Sequence, residues 1–396
     1  MLPWDYGVRN LLRRPWRTAL TLAALSTVIL LVLVVVGFIR GLEQSLAASG
    51  DERVVLVFTL GTSESLEYSA VPPATAEVLG ANLAGVKRRF GQAYLSPEIY
   101  LATRASASPG DAPKGAAPPP GTMGTGTGLV RGVTPAALWV RRSVEIVEGR
   151  WPEAGEVLVG RLAAAQLGAA DEEVAVGRTL EFEGRRWRVS GRFTAVGAIF
   201  ESEIWCRLED LQRAQQRQDL SLVALQLGPG AQFSEVDMFT KQRLDLELEA
   251  LRETDYYAAL AEHYRPVRAL GWAMAGLVAG AGVFAALNTM FAAAMGRIRE
   301  LAALQTLGFL RRAIALSLVQ ESTLLAAAAT LVAAAVGVAV IDGAAVRFTM
   351  GSFPLRIDGA TLLWGCGTGL VLGIVGAVPP AVRALRRPIV AALRAV

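Results

Sequence analysis

The chain has 396 residues, 53% of them hydrophobic and only 19% charged, which is too apolar for an ordinary soluble protein of this size. Its formal net charge of +4 comes almost wholly from arginine, because lysine occurs only at Lys87, Lys114 and Lys241. Two cysteines, Cys206 and Cys366, fall in segments of different character, which argues against an internal disulfide, and the first apolar run is too long for a cleavable signal peptide.

The apolar residues are concentrated in four blocks. Thr18–Ile39 is an uncharged run of 22 residues and Ala269–Gly296 one of 28. Ala313–Ile341 is interrupted by one charge, Glu321, and Gly359–Val382 gives 24 uncharged residues. A helix needs about 20 residues to cross ~30 Å of hydrocarbon, so each block predicts a transmembrane helix. Arg9, Arg13, Arg14 and Arg17 precede the first block, Arg297, Arg299, Arg311 and Arg312 separate the second and third, and Arg383, Arg386, Arg387 and Arg394 follow the fourth. With four spans these segments share one side, and the excess of arginine places that side, with both termini, in the cytoplasm. Gly276 and Gly280, and Gly365, Gly369 and Gly373, recur every four residues. That spacing fits a close helix contact or a dimer face, and it is also common in membrane helices of any kind.

The predicted fold class is therefore an α-helical membrane protein with four transmembrane helices plus a large α+β extracytoplasmic domain on a helical stalk. Its segments are a cytoplasmic amphipathic helix at 1–17, spans at 18–39, 268–294, 313–341 and 359–382, the outer domain at 40–267, a cytoplasmic coupling helix at 295–312, a short outer loop at 342–358 and a cytoplasmic tail at 383–396. Within the outer domain, Val54–Leu60, Glu156–Gly160 and Ser221–Leu227 read as strands, and Arg161–Leu167 and Leu208–Gln215 as short helices. Thr179–Phe182 and Trp187–Ser190 flank Glu183-Gly184 as a hairpin. Thr103–Gly128 is dominated by Ala, Gly, Pro, Ser and Thr and reads as a flexible loop. Lys241–His263 shows helical spacing at Leu244, Leu248 and Leu251, and Leu42 and Leu46 extend the first span outward. Together they predict a two-helix stalk, with Pro266 as a kink where the second span begins.

No lysine is followed by Ser or Thr, so there is no P-loop, and no nucleophile motif appears. The lone histidine, His263, has no cysteine near it, so no metal site is expected and it reads as a surface residue of the stalk. Nothing points to catalysis or to nucleic acid. The informative segment runs from Asn288 to Glu321. Leu301, Leu304 and Leu307 fall on one helical face, Arg297, Arg299, Glu300, Arg311 and Arg312 sit at its ends, and Gly308 is placed to stop the helix. Such a helix suits either a groove in a soluble partner or the membrane surface. Asn288 and Glu321 lie at similar depths in antiparallel spans, which predicts a shared intramembrane polar site.

These residues carry a resemblance. Asn288-Thr289-Met290, then Arg297-Ile298-Arg299-Glu300-Leu301 through Gly308, resembles the signature of FtsX/MacB-type ABC transporter permeases. The ending with Pro379, Ala381, Arg383, Arg387-Pro388 and Leu393-Arg394 is similar to that family's, as is the beginning with Arg9-Asn10-Leu11 and Arg13-Arg14-Pro15-Trp16-Arg17. Gly149-Arg150-Trp151-Pro152 and Glu156–Gly160 give a weaker likeness in the outer domain. The resemblance implies a bacterial inner-membrane permease, LolC- or MacB-like but without a fused ATPase, since Met1 stands just before the first helix. No cofactor is then held by this chain; ATP and Mg belong to a cytoplasmic ABC ATPase dimer. A second permease, identical or not, and membrane lipid are further implied partners, and a periplasmic adaptor with an outer-membrane channel is compatible with the resemblance. It implies mechanotransmission acting on lipoprotein, lipid, peptide or drug-like cargo. The alternative from another class is an FtsX-like regulator that switches a periplasmic wall hydrolase; the long first loop favours transport.

Overall fold

Residues 15–107, 125–349 and 351–389 are described by the computed structural model. The first helix, α1 (Pro15–Ser49), has 35 residues, about 50 Å at 1.5 Å per residue, and so outruns the hydrocarbon thickness it must cross. The segment 1–17, expected as an amphipathic helix, lies outside the described residues up to position 14.

An α+β domain follows. Its helices are α2 (Thr75–Asn82), α3 (Ala137–Val140), α4 (Ala163–Leu167), α5 (Leu208–Gln215), α6 (Phe233–Gln242) and α7 (Glu253–His263). Its strands are β1 (Val54–Thr59), β2 (Arg88–Arg89), β3 (Gln92–Ala93), β4 (Leu95–Ala107), β5 (Thr125–Val133), β6 (Glu145–Gly149), β7 (Glu156–Gly160), β8 (Thr179–Phe182), β9 (Arg185–Thr194), β10 (Ile204–Arg207), β11 (Leu222–Gln226) and β12 (Leu248–Arg252). Ten of these form one mixed sheet in the order β12-β1-β11-β4-β5-β10-β7-β9-β6, with β8 pairing both β4 and β9. The pairings β4-β5-β10-β7-β9-β8 thereby close into a ring. The 13-residue β4 joins the ring to an antiparallel wing, pairing β11 through Leu95–Glu98 and β5 through Ile99–Ser106. β1 reads as a continuous apolar run because it is covered on both faces. The hairpin expected at Glu183-Gly184 forms with φ of 51° and 66°, the left-handed pair that matches strand twist.

Two sequence expectations are corrected here. The stretch 103–128 is strand at both ends, with Thr103 paired to Gly128 and Ser106 to Thr125, while 108–124 lies outside the described residues. Backbone ladders need no particular side chain, and Gly126 and Gly128 leave room for Leu167 of α4. The continuous stalk helix over Lys241–His263 does not form. Leu244 is exposed in a single turn, Leu248–Arg252 pairs with β1 as β12, and only Glu253–His263 is helical. Burial of Leu248 and Ala250 but not Glu249 has the period of two that a strand requires, and the open edge of β1 wins over the helical spacing.

Beyond the domain come α8 (Arg265–Met295), α9 (Ile298–Thr306), α10 (Arg311–Val336, extended by a π-turn to Ile341), a hairpin of β13 (Ala345–Phe348) and β14 (Gly351–Pro354), and α11 (Gly359–Leu385). Among the described residues, four helices, Thr18–Ser49, Arg265–Met295, Arg311–Ile341 and Gly359–Leu385, are long and apolar enough to cross a membrane. Asp358 caps α11 by accepting from the Thr361 amide at 2.9 Å, and it pairs with Arg40 at 2.7 Å.

The chain divides into two units, the described parts of Met1–Arg40, Pro266–Ala344 and Leu355–Val396, and of Gly41–Arg265 and Ala345–Pro354. The β13–β14 hairpin thus belongs to the sheet unit. Ser352 donates to Gln166 Oε1 at 2.7 Å, Gln166 Nε2 donates to the Thr127 carbonyl at 2.8 Å, and Phe353 is fully buried. The first helical turns of this unit, with Leu42 and Leu46 buried, place Gly41 against Pro354 and Phe353 too closely for a side chain.

Candidate functional site

The segment singled out in sequence folds as a corner, a short helix and a stop. α8 ends at Met295, Arg297 turns the chain, and α9 begins at Ile298. At the far end Gly308 has φ of +92°, its amide bonds the Gln305 carbonyl at 3.1 Å, and the Phe309 amide bonds the Leu304 carbonyl at 3.1 Å. Those two bonds with a left-handed glycine make a Schellman stop.

The leucine face is divided. Leu301 is buried and Leu304 half-buried, both against Ala294, Ile314, Ala384 and Leu385 of neighbouring helices. Leu307 and Leu310 are each 75% exposed, beside exposed Arg299, Glu300, Arg311 and Arg312. The expectation that Leu301, Leu304 and Leu307 act as one docking face is therefore corrected. α9 has two apolar sides, because a nine-residue helix next to three long ones uses its inner leucines to hold its own position.

The expected Asn288–Glu321 site is also corrected. Glu321 is bound by Arg297, Nη1 to Oε2 and Nη2 to Oε1, both at 3.0 Å. Asn288 is exposed on α8. The two residues do not share a direction. Gly282, Ala286 and Ala294 mark the inward face of α8, and two residues past Ala286 the helix has turned about 200°.

The sheet unit contains a charged cluster that no sequence motif announced. Arg131 on β5 donates to Glu98 at 2.8 Å and forks Glu203, and Arg141 after α3 binds Glu98 and, at 3.1 Å, Glu253 at the start of α7. All five are essentially buried, and Tyr100, Phe200 and Trp205 stack around Arg131. Burial raises the Glu98 pKa, but Arg141 and Arg131 together outweigh it and hold it below the ordinary carboxylate value. Glu253 is the reverse. Burial raises it, Arg141 offsets only part of that, and Glu98 adds to the rise. Glu253 also accepts from the Asp51 amide at 3.3 Å, so it links the loop after α1 to the start of α7. Cys206 is fully buried in β10, and burial pushes its thiol far above the usual range, which makes it inert.

Residues 18–238, more than half of the chain, match the family model described as the MacB-like periplasmic core domain, and residues 272–389 match that of the FtsX-like permease C-terminal region. Among solved structures, the chain is similar to the periplasmic region of MacB from Actinobacillus actinomycetemcomitans, with 10% identity and a TM-score of 0.39, over 55% of this chain and 97% of that one. It is also similar to the extracellular domain of the noncanonical ABC-type transporter YknZ from Gram-positive bacteria, with 14% identity and a TM-score of 0.35, over 50% of this chain and 99% of that one. No curated protein matches it. The family assignment rests on the two family models, which meet in one chain in the order and on the segments that the four apolar helices and the intervening α+β domain occupy: the chain belongs to the FtsX/MacB-like family of ABC transporter permeases.

Proposed function

We propose that this chain is the permease subunit of an ABC transporter whose ATPase is a separate polypeptide, with both termini and the Arg297–Arg312 segment in the cytoplasm. The chain passes force from ATP hydrolysis to the sheet unit, which works on lipoprotein, lipid, peptide or drug-like cargo outside. The observation that carries this reading is the exposed tip formed by Leu307, Leu310, Arg311 and Arg312, held on a helix whose other side is anchored by Leu301 and Leu304. A protruding apolar pair with charges at its rim suits a groove of a soluble partner, where the apolar residues supply affinity and the charges orientation. A second permease copy lies along α8 at Gly276 and Gly280, where small residues permit close approach.

The test is photocrosslinking in the native membrane. A photoreactive residue at position 307 is expected to capture a P-loop ATPase, whereas one at position 244, exposed on the sheet unit, captures none. Capture of lipid alone at position 307 sinks the docking reading and leaves α9 as a membrane-surface helix.

A further inference from the structure

Arg297 occupies the corner between α8 and α9, with φ of −122° and ψ of 17°. Its fork onto Glu321 joins that corner to a point about 15 Å along α10 from Arg311. The two side chains are only 12% and 11% exposed. Ala294, Leu318, Ala377, Pro380 and Ala381 close around them and leave a void of about 10 Å³, room for at most one water. Three long helices and the root of α9 thus meet at one ion pair. Pro379 and Pro380 have no amide hydrogen to give the helix ladder, so α11 lacks backbone bonds at this same level.

We propose that Arg297 and Glu321 are positioning residues that convert displacement of α9 into displacement of α10 and α11. The proposal rests on the reading of the chain as an ATP-driven permease. Alanines line the contact, and smooth small surfaces let helices slide and rotate past one another. A bidentate guanidinium–carboxylate pair fixes angle as well as distance, which apolar packing does not. Stability alone does not explain the pair, because well-packed apolar residues in place of a buried ion pair generally fold as well or better. A buried fork at the root of the exposed helix is what a rigid joint requires.

The experiment compares wild type, R297L/E321L and R297K, each purified with its ATPase and reconstituted in lipid nanodiscs. Thermal unfolding, retention of the ATPase and ATP turnover relative to the ATPase alone are measured on the same samples. R297L/E321L is expected to melt and to retain the ATPase like wild type but to lose at least about fivefold in permease-dependent turnover. R297K, which keeps the charge but not the fork, is expected to fall between the two. Wild-type turnover in R297L/E321L overturns the proposal, and so does a large drop in its melting temperature, which assigns the pair to folding. Failure of wild type to retain any ATPase is a separate result, and it removes the permease reading itself.

Discussion

At the scale of single residues, the buried cluster of Glu98, Arg131, Glu203, Arg141 and Glu253 has the largest energetic stakes. Its members come from β4, β5, the loop before β10, the residue after α3 and the start of α7, so no local spacing reveals them. Removing one partner leaves an uncompensated buried charge, so Arg131→Ala is expected to cost about 3–5 kcal/mol by denaturant unfolding. Glu98 and Glu253 make opposite pH contributions. The lowered Glu98 stabilises above its ordinary carboxylate pKa, and that stability is lost as pH falls through the folded value. The raised Glu253 destabilises as pH rises from about 4.3 towards its folded value. Glu253→Gln removes that second contribution. The melting temperature of the variant minus that of wild type should therefore increase as pH rises through this window, and a difference that does not vary with pH contradicts the assignment.

At the scale of elements, the four apolar helices, β1, β7, β8, α5 and the glycine stop of α9 were readable from period and composition. What failed had a physical cause each time. Leu244, Leu248 and Leu251 satisfy a helical period, but Leu248 and Ala250 also satisfy a strand period, and only the pairing to β1 decides. Leu248→Ala is accordingly expected to lose about 2–3 kcal/mol of sheet-unit stability, whereas Leu244→Ala stays within about 0.5 kcal/mol. Equal losses at the two positions would restore the helical stalk. The leucine face of α9 divides, with Leu304 turned to the protein's own helices, because an amphipathic pattern alone does not distinguish a partner's groove from neighbouring helices. Asn288 and Glu321 were paired on depth, and direction around the helix axis was the missing coordinate.

At the scale of the whole molecule, sequence motifs at both ends of the chain were enough to suggest the family, while the sheet topology was not legible. The ring of strands is closed by pairings far apart in the chain, such as Glu156 with Arg188 and Ile204 with Val130. The loop between the third and fourth apolar helices, expected only as a short outer loop, supplies a hairpin to the sheet unit. Covalent connections between the two units therefore number four, at Arg40/Gly41, Arg265/Pro266, Ala344/Ala345 and Pro354/Leu355.

We propose that the partner ATPase docks on the exposed tip of α9. The direct measurement is the dissociation constant between the permease in nanodiscs and its purified ATPase, for wild type, L307D/L310D and L304D. The double variant places two charges in an apolar groove and is expected to weaken binding by at least about thirtyfold, on the order of 2 kcal/mol, with unchanged melting. L304D instead lowers the melting temperature, because Leu304 packs on the permease's own helices. Wild-type affinity in L307D/L310D would contradict the account.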